Sequence, residues 1–106
     1  MSRKKYEITE AAHPKYPWLH RIRAIRQVNE QVSPGMLGGY VQTEDNLSQE
    51  GTCWIYDQAV CCEEAVVADD GRMFDGAVAR GSALVGGNAR MYERAMAEGN
   101  LSLIHI

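Results

Sequence analysis

Three short strings recur at intervals of 18 residues: Trp54-Ile55-Tyr56-Asp57, Arg72-Met73-Phe74-Asp75 and Arg90-Met91-Tyr92-Glu93. A structure that obeys this spacing stacks Tyr56, Phe74 and Tyr92 into a row of outward rings. Asp57, Asp75 and Glu93 then form an acidic row beside it, and Trp54, Arg72 and Arg90 form a third stripe. Aromatic groups edged by charge are the material of a contact surface. The same stacking, with Arg over ring faces, also stabilises neighbouring strands without any partner.

The other reactive side chains are few. Proton transfer requires a positioned base, yet no histidine lies between residues 21 and 104, and His13 and His20 both precede the repeats. His20 is the one weak candidate for catalysis. Cys53, Cys61 and Cys62 lack the paired Cys-x-x-Cys spacing of a zinc site, so neither a metal nor a cofactor is expected. Cys53 occupies the slot that Gly71 and Ala89 fill 18 and 36 residues later, and Cys61 the slot of Ala79 and Ala97, so both read as small inward residues. Cys62 reads as an outward free thiol. Arg21, Arg23 and Arg26 alternate with Ile22, Ala24 and Ile25 and are candidates for phosphate contact. Arginines on the wet side of a capping strand would look the same.

The elements that hold these groups follow from a shorter period. Ten hexads run in one frame from Gly39 to Glu98, with Val41, Leu47, Cys53, Ala59, Ala65, Gly71, Ala77, Ala83, Ala89 and Ala95 third in each. The fifth positions are Thr43, Gln49, Ile55, Cys61, Val67, Met73, Ala79, Val85, Met91 and Ala97. Third and fifth residues share a face because side chains alternate along a strand. Gly, Asp, Glu or Asn at the first or second position supplies turn chemistry. Short flat strands joined by tight corners, three hexads to a coil, make an all-β fold: a single-stranded parallel β-helix. The expected inward set is Ile55, Val67, Met73, Val85 and Met91.

Residues 1–32 do not follow the hexad rule. Tyr6–Thr9 and Leu19–Val28 read as two strands flanking Pro14 and Pro17, an N-terminal β-hairpin that caps the coil, with Tyr16 and Trp18 as its lid. Residues 33–100 form the β-helix, the first coil being degenerate over 33–50. Residues 101–106 are expected to complete the last strand.

With 106 residues the chain fits one modest core. No segment has the roughly 20 apolar residues of a membrane helix, and no apolar stretch follows the basic start. Together with the odd cysteine count this leads to an expected cytoplasmic address in a bacterial host cell. Residues 1–28 carry seven Lys or Arg against two Glu, and residues 29–106 carry four against twelve Asp or Glu. An acidic coil is a poor wrap for nucleic acid.

The stretch Val85-Gly86-Gly87-Asn88-Ala89-Arg90 resembles the repeat unit of left-handed parallel β-helices, and the hand is expected from that likeness alone. The string Gly35-Met36-Leu37-Gly38-Gly39-Tyr40-Val41, with Glu44, Asn46-Leu47-Ser48, Gly51 and Trp54-Ile55-Tyr56-Asp57, is similar to phage and prophage β-solenoid proteins built of hexapeptide-like repeats. The resemblance implies a fold and a phage or bacterial origin, and it brings no catalytic residues. The Asn-Ala step of that family survives only at Asn88-Ala89. Leu101-Ser102-Leu103-Ile104-His105-Ile106 resembles the translation of a transposon-based sequencing adapter, which implies a natural chain running on past Asn100.

These readings lead to a non-enzymatic binding or assembly module that acts through its outward aromatic and acidic face. Its expected partner is a protein or a second copy of itself, joined through the last coil or through the ring ladder. The alternative is a phage counter-defence protein that inhibits a host nuclease or sequesters a signalling nucleotide. A fragment of a hexapeptide-repeat acyltransferase is a third reading, disfavoured by the missing base and the absence of a loop thrown out of the coil.

Overall fold

The computed structural model describes residues 4–103. It is all-β apart from one 3-10 turn at Glu44–Asn46. Strands β1 (Tyr6–Ala12) and β2 (His20–Ala24) pair antiparallel, and β2 pairs antiparallel with β3 (Leu37–Val41). From β3 onward every pairing between strands is parallel and the chain coils. One flat side stacks β4 (Trp54–Ile55), β7 (Arg72–Met73) and β9 (Arg90–Met91). A second stacks β3, β5 (Val60–Cys61) and the starts of β8 (Val78–Val85) and β10 (Met96–Leu103). The third places β6 (Val66–Val67) on the end of β8. The result is a β-solenoid of about three turns, continued at its first edge by the β1–β2 hairpin. No helix among the described residues is long and apolar enough to cross a membrane.

The corners explain the six-residue period. From Gly51 to Glu93 every first hexad position has a positive φ: Gly51, Asp57, Glu63, Asp69, Asp75, Gly81, Gly87 and Glu93. A left-handed residue turns the strand sharply enough for the next flat side to begin. The short strands between corners leave two inward slots each. These hold Ile55, Val67, Met73, Val85 and Met91, at most 1% exposed, among Ala59, Ala65, Ala77 and Ala79. The expected in-and-out alternation is therefore the observed one.

The frame is not continuous at its beginning. Tyr40 lies opposite Val60 and Val41 opposite Cys61, an offset of 20 residues, and Leu47 lies opposite Val67 with the same offset. From Trp54 opposite Arg72 to Asn100 opposite Ser82 the offset is 18, and it becomes 19 at Leu103 opposite Leu84. Ser48 N–H donates to Val67 C=O and Thr52 N–H to Asp69 C=O, so the two extra residues sit between Ser48 and Thr52. Val41 and Leu47 thus fill fifth slots, not third ones, and the ten-hexad frame is corrected to one that holds from Gly51. An even insertion keeps each side chain on its own face, which is why the periodicity passes through it unmarked. Thr43 and Gln49, nominally fifth, leave the core: Thr43 caps the 3-10 turn and Gln49 Oε1 accepts the Lys5 N–H at 2.8 Å.

The cap also differs from expectation. Tyr16 and Trp18 are 41% and 57% exposed and do not cover the coil. Its end is closed by Lys5, Tyr6, Ile22, Val28 and Val32, all buried. Tyr6 Oη donates toward Leu47 O at 2.7 Å and lies within reach of Glu44 O at 2.9 Å, which ties the hairpin to the insertion-bearing coil. Gly38 and Gly39 let the chain pack closely around β3, since a Cβ on Gly38 would stand 2.7 Å from Ile22 of β2 and one on Gly39 would stand 2.3 Å from Ala59 O. Among the final six residues, the backbone runs as β10 to Leu103, and the expectations for Ile104, His105 and Ile106 lie outside the described residues.

Overpacking should be costly where the core is backbone-lined. Ala77→Leu and Gly39→Ala should each lower stability by about 1–3 kcal/mol. Urea denaturation should show a lower midpoint with unchanged slope.

Candidate functional site

The ring row exists, and its geometry decides what it presents. Tyr56 and Phe74 stack at 4.5 Å between centroids with planes 12° apart, and Phe74 and Tyr92 at 4.9 Å and 6°. Each sixth residue points outward just before a corner, so successive coils lay the rings face on face. The faces cover one another and the edges meet solvent. A base or sugar therefore finds no open face between Tyr56 and Phe74 or between Phe74 and Tyr92, whereas Tyr92 itself is 52% exposed. Tyr56 is also tied down, with Asn29 Nδ2 at 3.2 Å and Gln31 Oε1 at 3.2 Å from its hydroxyl.

The acidic row is equally engaged. Asp75 N–H donates to Asp57 Oδ2 and Glu93 N–H to Asp75 Oδ2, both at 3.1 Å. The same bond recurs at the other corners, from Gly81 N–H to Glu63 Oε1 at 2.7 Å and from Gly87 N–H to Asp69 Oδ2 at 3.0 Å. Asp57, Glu63, Asp69 and Asp75 each occupy a left-handed corner and accept the amide of the corner 18 residues on.

The third stripe needs correction. Trp54 is wholly buried, edge-on to Tyr6 at 6.3 Å and in one core with Val28 and Val32. The outward slot it occupies is covered by the segment joining β2 to β3, a long-range contact that the hexad pattern cannot show. Arg72 and Arg90 share Asp70, with Nη2 of each at 2.9 Å from one of its oxygens. Thr52 Oγ1 donates to the same carboxylate at 2.5 Å. The Thr52 hydroxyl above all, with Arg90 and Arg72, holds the Asp70 carboxyl well below the usual carboxylate range, against a smaller opposing effect of burial.

The three cap arginines are engaged separately. Arg21 sits 4.8 Å over the Tyr40 ring and donates to Gly38 O at 2.7 Å. Arg23 pairs with Glu7, and Arg26 Nη2 donates to Gln49 O at 3.3 Å. Cys53 and Cys61 are buried in the slots expected, and Cys62 is half-buried on the outside. Burial pushes all three thiols up, so none is an activated nucleophile. His13 Nδ1 accepts the Lys15 and Tyr16 N–H groups at 3.0 and 3.3 Å, and His20 lies in β2 opposite Val41. Among the described residues no three His, Cys, Asp or Glu groups come together in a metal-holding cluster.

Two features escaped the sequence. Lys5 is fully buried, its Nζ donating to Glu50 O at 3.1 Å, Cys53 O at 3.0 Å and Cys53 Sγ at 3.1 Å. Its ammonium satisfies carbonyls on the outer edge of the first turn between Glu50 and Cys53, where β4 pairs only with β7 on its other side. Nothing in a basic N-terminal string distinguishes Lys5 from Lys4. The second is a cleft of about 300 Å³ on the second flat side, lined by Tyr16, Trp18, Val60, Cys62, Val78 and Met96 among others. Val60, Val78 and Met96 are one outward column at 18-residue spacing, legible in the sequence, but the hairpin tip that walls it is not.

No family model matches the chain. A curated protein of Escherichia coli (strain K12), described as "Uncharacterized acetyltransferase YdcK", is 41% identical over 56 residues. That match covers 52% of this chain and 17% of the relative's length. The hexapeptide-repeat β-helix is thus supported by both the fold and a relative.

Two measurements test the site as built. Phe74→Ala removes two stacking contacts worth about 0.5–1.5 kcal/mol each, so it should destabilise the fold by at least about 1–3 kcal/mol in urea. Asp70 is depressed in the folded state, so its contribution is present above the unfolded carboxylate range near pH 4 and is lost as pH falls below it. Stability measured from pH 6 downward to about 2 should therefore fall less steeply in Asp70→Asn than in the wild type.

Proposed function

We propose that this chain is a scaffold coil of a hexapeptide-repeat protein, acting by binding and assembly and contributing no catalytic base of its own. The observation that supports it best is the uninterrupted stack: from Gly51 to Glu93 no residue leaves the corner-and-strand pattern to project into a reaction centre. Carboxylates, rings and guanidinium groups that repeat along the coil are bonded to the next turn. Contact with a partner then falls to the exposed flat sides and the hairpin.

A second reading is favoured by the relative's name: a longer protein that contains such a coil transfers acyl groups, with this segment as framework. The counter-defence alternative has less to support it, because nucleotide capture calls for convergent cations and Arg21, Arg23 and Arg26 each have separate contacts.

The discriminating assay is release of free coenzyme A from acetyl-coenzyme A with small amine acceptors. The scaffold reading expects no release above the uncatalysed rate from this chain. Release that disappears in His20→Ala or His13→Ala would overturn it.

A further inference from the structure

Exposed aromatic rings lie at the hairpin tip and, on the ladder, at its last ring Tyr92, which is 52% exposed. Trp18 is 57% exposed, Tyr16 41% and Met96 58%. The tip is held in place: His13 N–H donates to Leu19 O at 2.8 Å, and Leu19 N–H to Tyr16 O at 2.9 Å. Trp18, Tyr16, His13 and Tyr40 touch in sequence, with centroids 5.4, 5.1 and 4.6 Å apart. Two large rings are therefore fixed in an exposed position beside an apolar cleft floored by Val60 and Val78.

Charge is divided across the same patch. Lys15 stands exposed at the tip and, among the described residues, makes no ion pair, whereas the coil side of the cleft carries Glu63 and Arg80, with Glu64 exposed next to Glu63 outside the lining. The chain is split in the same sense, with seven cations and two carboxylates in residues 1–28 against four and twelve beyond. An anchor and its receptor on a single patch make that patch self-complementary, which is the condition for a two-fold contact.

We propose that this patch joins two copies of the chain around a two-fold axis. The tip of each copy lies in the cleft of the other, with Trp18 against the Val78–Met96 column and Lys15 facing Glu64 of the second copy. Trp, Tyr and Met are the residue types that anchor such contacts, and the opposed charges set the register. The proposal deepens the assembly reading and rests on it only in assigning contacts to the outer sides; the coenzyme A assay and an association measurement fail independently of each other.

Sedimentation velocity from micromolar to millimolar chain should show a monomer–dimer equilibrium that weakens with added salt. Trp18→Ala should weaken it at least about thirtyfold, the scale of an interface anchor, while Tyr92→Glu on the ring ladder should leave it unchanged. Lys15→Glu and Glu64→Lys should each weaken self-association, and a mixture of the two should dimerise again, because every contact in the mixed pair is restored. Near-UV circular dichroism of the buried Trp54 reports whether each variant is folded. A wild type that stays monomeric, a dimer indifferent to Trp18→Ala, or charge variants that fail to rescue one another would each overturn the proposal. So would a monomer in which indole alone protects Cys62 from alkylation, which would mark a small-molecule site.

Discussion

The regular part of this solenoid depends on a left-handed residue at every corner from Gly51 to Glu93. Left-handed backbone costs a residue with a Cβ about 1–2 kcal/mol, and five of the corners, Asp57, Glu63, Asp69, Asp75 and Glu93, are not glycine. Four of these acids recover the cost through a hydrogen bond that only the coil provides, from the amide of the corner 18 residues on. A charged acceptor contributes about 1.5–3 kcal/mol in such a bond, less where the carboxylate is exposed, so the two effects are of similar size. The corner is thus stable when stacked and strained when alone. This couples each turn to its neighbour and makes the fold cooperative along its axis.

That coupling changes the meaning of the regular side-chain rows. In an extended array, a row of identical groups can serve a partner or the next turn. Here the rings present their edges, the acids hold backbone amides, and Asp70 gathers Thr52, Arg72 and Arg90. Regularity along the coil is a mark of self-stabilisation in this chain. Surface available for recognition lies where regularity stops, at the hairpin and the cleft beside it.

The irregular first coil has its own physical logic. Two added residues before Thr52 break the corner ladder, and carbonyls on the outer edge of the first turn are taken up by Lys5 while Asn46 Nδ2 bonds Ala65 O at 2.8 Å and Glu63 O at 3.1 Å. A buried ammonium is tolerated only with such partners, and burial still lowers its pKa. The hairpin therefore does more than shield apolar surface. It supplies the strand pairing, the phenol of Tyr6 and the amine of Lys5 that the first turn lacks.

The sequence by itself determined the solenoid, the 18-residue coil, the inward set from Ile55 to Met91 and the small-residue slots of Cys53 and Cys61, because all of these follow from local alternation and corner chemistry. It also determined that Tyr56, Phe74 and Tyr92 would align. Only the tertiary structure decided that Trp54 is buried, that Val41 and Leu47 sit two residues out of frame, and that Lys5 rather than Trp18 closes the end. The reason is common to the three. A two-residue insertion preserves the alternation that periodicity reports, and what covers an outward slot is set by segments distant in the chain, here Tyr6 and residues 28–32, whose positions no repeat encodes.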